Sequence, residues 1–395
     1  MNRSRPFSLR GAWGMAALLF LTLVTGSLFA GERTSALILD GPSNPAKNLA
    51  RLNCGAAIDL VGADGRIVAV TNKDSSANSL LLDDNTLSYA LPEGDTTFLL
   101  SFPRTFPLDR FTFVNENSSG AGELKIAVSK YRLPVRSPKW NEVNSSSFTG
   151  KRLFDLSLLR TEARFVKLSF HVSRAGRIAG LGLYGGQSLQ QFAARQRGVM
   201  RVTNPAATHR MQDMLNFNFL NLYAGARIVF VSSGTEEQAQ RMIDDNVVTA
   251  FQFAPADPSP TVVVELAELE RLHRVSAVYK MEKGRLDVFA LENLKTNPGD
   301  LAGETPVASV TDTTGAGKAA VEFDTHGARF VALRWTPTDA NTPHEFELAE
   351  VGAFGEMSLS MLSTQELPDI YADNTIGLMS PPLVIQAPVL PLVSP

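Results

Sequence analysis

The sequence predicts an all-β chain: two tandem antiparallel β-sandwiches joined by a short helical connector. Three observations carry this. The chain has 395 residues, 44% hydrophobic and 19% charged, a globular composition that excludes wholesale disorder and a multi-span membrane protein. It repeats itself over whole-domain distances. Its apolar runs are short, rich in β-branched and aromatic residues, and divided by Gly, Pro, Asn and Ser.

The repeat is read from four matches in one order. Leu82-Asp83-Asp84-Asn85 recurs as Ile243-Asp244-Asp245-Asn246, an offset of 161 residues. Leu108-Asp109-Arg110-Phe111 recurs as Leu272-His273-Arg274-Val275 at 164. Ala163 to Leu168 recurs as Ala328 to Leu333 at 165, and Gly182-Leu183-Tyr184-Gly185 as Gly352-Ala353-Phe354-Gly355 at 170. The offset drifts only by loop-sized insertions, and the period far exceeds that of a solenoid, so a whole domain is duplicated.

In the first copy (45–186) the expected strands include Phe98–Phe102, Phe111–Val114, Leu124–Val128 and Phe165–Phe170. In the second (217–356) they include Thr261–Leu266, Val275–Tyr279, Leu286–Ala290 and Phe330–Trp335. Strands at this spacing with no helices between them fit two facing sheets. Between the copies (187–216), Leu189, Phe192, Ala193, Gln196 and Met200 fall at helical steps. Beyond the second copy (357–395) the chain is Pro-rich and is expected to be extended or mobile.

Arg3, Arg5 and Arg10 precede an uncharged stretch, Gly11 to Ala30, with small residues at its end. This pattern predicts a signal peptide over 1–30 and export to the periplasm, cell surface or medium. The alternative, an uncleaved anchor, stays open, because that stretch could just span a bilayer. No other segment is apolar enough to do so. The single Cys54 excludes an intramolecular disulfide and a Cys-rich zinc site.

Each copy resembles a discoidin domain, the coagulation-factor type C module with a galactose-binding-like jelly-roll fold. In the second copy the resemblance rests on Asp244-Asp245-Asn246, Thr249-Ala250-Phe251, His273-Arg274-Val275, Ala328 to Leu333 and Leu348 to Gly355. In the first it rests on Asp83-Asp84-Asn85, Tyr89, Leu108 to Phe111, Trp140-Asn141-Glu142-Val143, Ala163 to Leu168 and Leu183-Tyr184-Gly185. Asp84 and Asp245 stand where the family has a turn Gly, and Tyr89 and Phe251 where it has Trp. The resemblance implies a calcium site in the second domain at Asp244, Thr249 and Glu350, an oxygen set suited to a hard cation. The first copy has Leu87 and Gly180 at the Thr and Glu positions, so no such site is expected there. Turn stabilisation by Asp side chains is the competing reading of Asp244 and Asp245.

Catalytic patterns are scarce, and the chain is expected not to be an enzyme. His171, His209, His273, His326 and His344 occur singly, and neither a nucleophile elbow nor a phosphate loop is present. Glu236-Glu237 and Glu345/Glu347 read as solvated loop acids. Trp140 reads as packing, Trp335 as either core or loop-facing, and Tyr131 and Phe148 as loop neighbours. The first copy (41–185) holds 18 Lys+Arg against 13 Asp+Glu, net +5, and the second (217–356) 11 against 21, net -10. These opposite signs fit docking of the two domains or of neighbouring molecules head to tail, or simply two solvated surfaces. Arg160, Arg164, Lys167, Arg174 and Arg177 form the densest basic run.

The expected function is non-catalytic binding of carbohydrate or another surface component through sandwich loops. The alternatives are a structural or adhesive envelope protein with protein partners, or an accessory subunit of a secreted enzyme. No nucleic-acid partner is expected. A sugar binder should place an aromatic and convergent polar groups in one pocket.

Overall fold

The computed structural model describes residues 46–62, 64–68, 77–185, 217–338 and 345–356. The expected leader, helical connector and Pro-rich tail lie outside these residues. Among the described residues no helix is long and apolar enough to cross a membrane.

The first sandwich contains β1 (Ala57–Val61), β2 (Ser88–Leu91), β3 (Gly94–Asn115), β4 (Ala121–Ser129), β5 (Asn141–Ser147), β6 (Leu153–Arg174) and β7 (Gly176–Tyr184). All pairings are antiparallel, in the order β2-β7-β3-β6-β4-β5 with β1 on β3. The sequence runs at Phe98–Phe102 and Phe111–Val114 are two halves of one 22-residue strand, β3. Its register with β6 slips between Ser101 and Phe106 and again after Leu108. These irregularities let the paired β3 and β6 bend, so that one half of each serves each layer. Phe98, Phe111, Phe113, Phe154 and Phe170 fill the space between the layers, all essentially inaccessible. Burying each contributes about 2–3 kcal/mol.

The second sandwich repeats the plan with β8 (Arg227–Val231), β9 (Phe251–Gln252), β10 (Thr261–Tyr279), β11 (Gly284–Leu291), β12 (Ala308–Asp312), β13 (Lys318–Pro337) and β14 (Glu347–Glu356). Its order is β12-β11-β13-β10-β14-β9, with β8 on β10. Trp335, Tyr279 and Phe346 form its aromatic centre, Trp335 stacking on Phe346 at 4.6 Å between centroids. This places Trp335 in the core.

A further repeat, not recognised in the sequence, starts each copy. Asn48 donates to Leu181 O (3.0 Å) and accepts from Ala50 N and Leu183 N. Asn218 does the same with Val351 O (3.0 Å), Leu220 N and Ala353 N. A 3-10 turn follows each, Leu52–Cys54 and Leu222–Ala224, closed by Gly55 and Gly225 in the left-handed conformation that glycine adopts without strain.

The two sandwiches dock through their repeated Asp-Asp-Asn turns. Arg274 of the second donates to Asp84 of the first (Nη2 to Oδ2 2.8 Å), while Lys47 and Arg51 of the first meet Asp245 of the second. Arg152 donates to Tyr279 O (2.8 Å) and Gly317 O (3.0 Å), and Lys318 pairs with Glu116. Val247 packs against Val114 and Ala179, and Phe354 against Leu82. The ion pairs between the sandwiches run both ways: Lys47 and Arg51 follow the net signs of the two copies, while Arg274 and Lys318 run against them.

Candidate functional site

Two places gather chemistry. The first is a cleft on the first sandwich where three strands part. Phe165 on β6 is the last residue paired both to Ser101 on β3 and to Ser129 on β4. Beyond it β4 ends and the β3–β6 register slips. The gap is a cleft of about 400 Å³ lined by Ser101, Lys130, Tyr131, Arg132, Arg164 and Phe165, among others. Tyr131 is 75% exposed. Lys130 pairs with Glu162, and Arg132 lies 3.9 Å from Asp59. Arg164 Nε donates to Phe102 O (3.3 Å), and among the described residues no carboxylate lies within ion-pair distance of its guanidinium.

The segment that carries Tyr131, residues 130–140, is held against the outer face of the sheet. Trp140, buried on Val61, Leu99 and Ala127, donates from Nε1 to Pro134 O (2.9 Å). Lys167 donates to Val135 O (3.1 Å) with its ammonium 5.2 Å from the Trp140 ring centroid. Burial pulls the Lys167 pKa below its ordinary value. The Trp140 position is therefore packing, and its effect is to fix a loop whose other end lines the cleft.

The second place is a buried carboxylate pair in the second sandwich, and it contains all three residues of the expected metal set. Thr249 Oγ1 donates to Asp244, 2.9 and 3.0 Å from its two oxygens. The Asn246 amide reaches both Asp244 Oδ1 (3.0 Å) and Glu350 Oε2 (3.1 Å). Glu350 Oε1 is buried with no hydrogen-bond partner. Burial, with Asp245 adding to it, pushes Asp244 up to about 8. Burial and then the neighbouring Asp244 and Asp245 push Glu350 well above the usual carboxylate range. Asp245 goes the other way: burial acts against it, but Arg51 and Lys47 hold it low. An all-oxygen set with an orphaned buried carboxylate oxygen fits a hard cation. Among the described residues no group of three or more His, Cys, Asp or Glu converges, so further ligands would have to come from Thr249, backbone or water.

The first copy differs for a structural reason. At the Glu350 position stands Gly180, in the left-handed region at φ 54, and a Cβ there would lie 3.1 Å from Val247 of the second sandwich. The space a glutamate would need is filled by the docked domain. Asp83 instead accepts from Asn53 Nδ2 (2.7 Å) and Asn218 N (3.1 Å).

The remaining candidates scatter. Phe148 is fully buried. Arg174 donates to Ser119 O, and Arg177 to Ser88, so the basic run is spread over separate surfaces and only Arg164 enters the cleft. His171 meets Asp95 at 2.7 Å on the surface, and Glu345 and Glu347 pair with Lys280. His209 and His344 lie outside the described residues. Sequence reasoning named Tyr131 and Arg164 separately. That they share a cleft depends on where β4 ends.

No family model matches the chain, and no curated protein does. Among solved structures, a fucolectin from striped bass serum (Morone saxatilis) is similar at 13% identity, covering 79% of this chain and 99% of that one, TM-score 0.27. The CBM32-1 and CBM32-2 domains of Clostridium perfringens ZmpB match at 13% identity over 76% of this chain and 92% of theirs, TM-score 0.27. An allantoicase matches at 12% identity over 79% of this chain and 94% of its own, TM-score 0.28.

Proposed function

We propose that the chain is an exported, non-catalytic carbohydrate-binding protein: the first sandwich takes a sugar in the Tyr131 cleft, and the second holds a calcium ion at Asp244, Thr249 and Glu350. The observation that carries the reading is the cleft. It combines the exposed ring of Tyr131 and the guanidinium of Arg132, on a loop pinned by Trp140, with the guanidinium of Arg164 on β6. An aromatic face offers an apolar surface to the C–H face of a pyranose, and guanidinium forks donate to its oxygens. Pre-fixing the loop lowers the ordering cost that weakens binding through mobile segments. The ion has a structural part here, neutralising Asp244 and Glu350 beside the interdomain turn. Export rests on the leader pattern of residues 1–30.

The test is a glycan array probed with residues 31–395, with and without calcium, alongside Tyr131→Ala and Asp244→Ala. Glycan binding lost in Tyr131→Ala supports the reading. Absence of binding to every glycan, by a folded protein, overturns it in favour of protein-protein assembly.

A further inference from the structure

The duplication supplies an internal control for the cleft. In the first copy Phe165 pairs with Ser101 on one side and Ser129 on the other. In the second, Phe330 pairs with Glu265 and Leu291. Register therefore equates Ser101 with Glu265, Arg164 with Arg329, Lys130 with Glu292 and Tyr131 with Asn293. Likewise Ala57, opposite Ser101, is equivalent to Arg227, opposite Glu265.

The two copies treat the shared arginine differently. Arg329 donates through Nη2 and Nε to Glu265 Oε1 (2.9 and 3.3 Å), and Arg227 takes the other oxygen at 2.5 Å. The second sandwich thus fills this place with its own carboxylate. In the first sandwich Ser101 stands where that carboxylate would begin, and Arg164 faces the cleft with no acid beside it. Tyr131, in place of Asn293, adds the exposed ring. Lys130 is already matched by Glu162 and Arg132 lies 3.9 Å from Asp59, so among the described lining residues Arg164 is the cation with no carboxylate beside it.

We infer that the cleft binds an acidic saccharide, one whose carboxylate takes beside Arg164 the place that Glu265 occupies beside Arg329, while Tyr131 stacks on the ring that bears it. This rests on the carbohydrate reading above and narrows it to a chemical class. A guanidinium with free terminal nitrogens and a carboxylate form a charge-assisted, bidentate pair, which is directional as well as attractive. The ring requirement separates a saccharide from a simple anion.

The experiment titrates residues 31–395 with uronate- and sialate-bearing glycans, and with the same glycans after reduction of their carboxylates to alcohols, with inorganic sulfate as the non-saccharide probe. Ser101→Glu installs the second copy's internal partner beside Arg164, with Ala57 in place of the second cation, Arg227. It should lower affinity for the acidic glycans at least tenfold while leaving the unfolding midpoint close to that of the parent. Arg164→Gln should do the same, and Tyr131→Ala should lower glycan affinity. Three results overturn the inference: equal binding of acidic and reduced glycans, unchanged binding in a folded Ser101→Glu protein, or sulfate binding as tightly as the glycans. The first of these leaves the carbohydrate reading standing. Only absence of binding to any glycan, acidic or neutral, removes both.

Discussion

The Arg51 guanidinium of the first sandwich lies 2.7 Å from Asp245 Oδ1 of the second, with both side chains almost wholly inaccessible. Lys47 takes the other oxygen, at 2.7 Å, and Arg51 also donates to Leu82 O and Asn85. A buried charge is costly unless paired and hydrogen-bonded, so this cluster is stable only while the two domains are docked. The two sandwiches are therefore expected to unfold together.

Asp245→Asn tests this with little change of shape. Asp245 has φ 63, a left-handed conformation that Asn also tolerates, so the substitution isolates the charge. Lys47 would then lose the carboxylate it is hydrogen-bonded to, and Arg51 would keep only Asp83, 3.4 Å away, at a cost of about 3–5 kcal/mol. Urea titration should show the midpoint falling for both sandwiches together. A loss confined to one domain would contradict a single folding unit.

Calcium should stabilise the chain through the second sandwich. A ligand that binds only the folded state at a hundred times its dissociation constant adds about 2.7 kcal/mol. Glu350→Gln, nearly isosteric, should abolish the rise in melting temperature on adding calcium after chelator treatment. If the variant responds to calcium as the parent does, the ion is not held at Glu350.

Much of the fold was legible because it is periodic and duplicated. Strand runs such as Phe165 to Phe170 alternate inward and outward, and the copies agree in order. The leading Asn48/Asn218 repeat is faint in the sequence because only the Asn, a later Leu and a Gly-Ala pair are shared, and its logic is a set of Asn side-chain hydrogen bonds to the backbone of strands some 130 residues away. The metal candidates could be named because a short turn and one late glutamate carry them. The cleft could not be assembled, since Ser101, Tyr131 and Arg164 meet only through a register slip and a strand end. The blocking of the first copy's carboxylate site by Val247 is likewise a docking effect, invisible in either copy alone.

Glu270 gives the chain a pH dependence of its own. Buried in β10, with Glu268 nearby, its carboxyl is pushed up to about 7 from an ordinary 4.5. The folded state then holds a proton that the unfolded chain has released between those values, so stability falls as pH rises from about 4.5 through about 7. The slope from this one group cannot exceed about 1.4 kcal/mol per pH unit. Glu270→Gln, which mimics the protonated form, should make the fall across that window shallower, leaving the share of Asp244 and Glu350, measured by urea unfolding at a series of pH values. An identical profile in the variant would assign the dependence elsewhere.

Trp140→Ala separates the loop's scaffold from its binding groups. Trp140 touches the outer-face cluster of Val61, Leu99 and Ala127 and donates to Pro134 O, but it does not line the cleft. Removing the indole leaves a cavity and frees segment 130–140, costing about 3–5 kcal/mol of stability. Tyr131 and Arg132 remain chemically intact but lose their fixed position, so glycan affinity should fall even at temperatures where the protein is fully folded. Because the loss is one of pre-organisation, it should appear as a less favourable binding entropy in calorimetry, with the preference among glycans retained. Lys167→Met, which removes the second tie at Val135 O while keeping the apolar stem, should give a smaller effect of the same kind. Full affinity in a folded Trp140→Ala protein would mean that the cleft does not depend on the pinned loop.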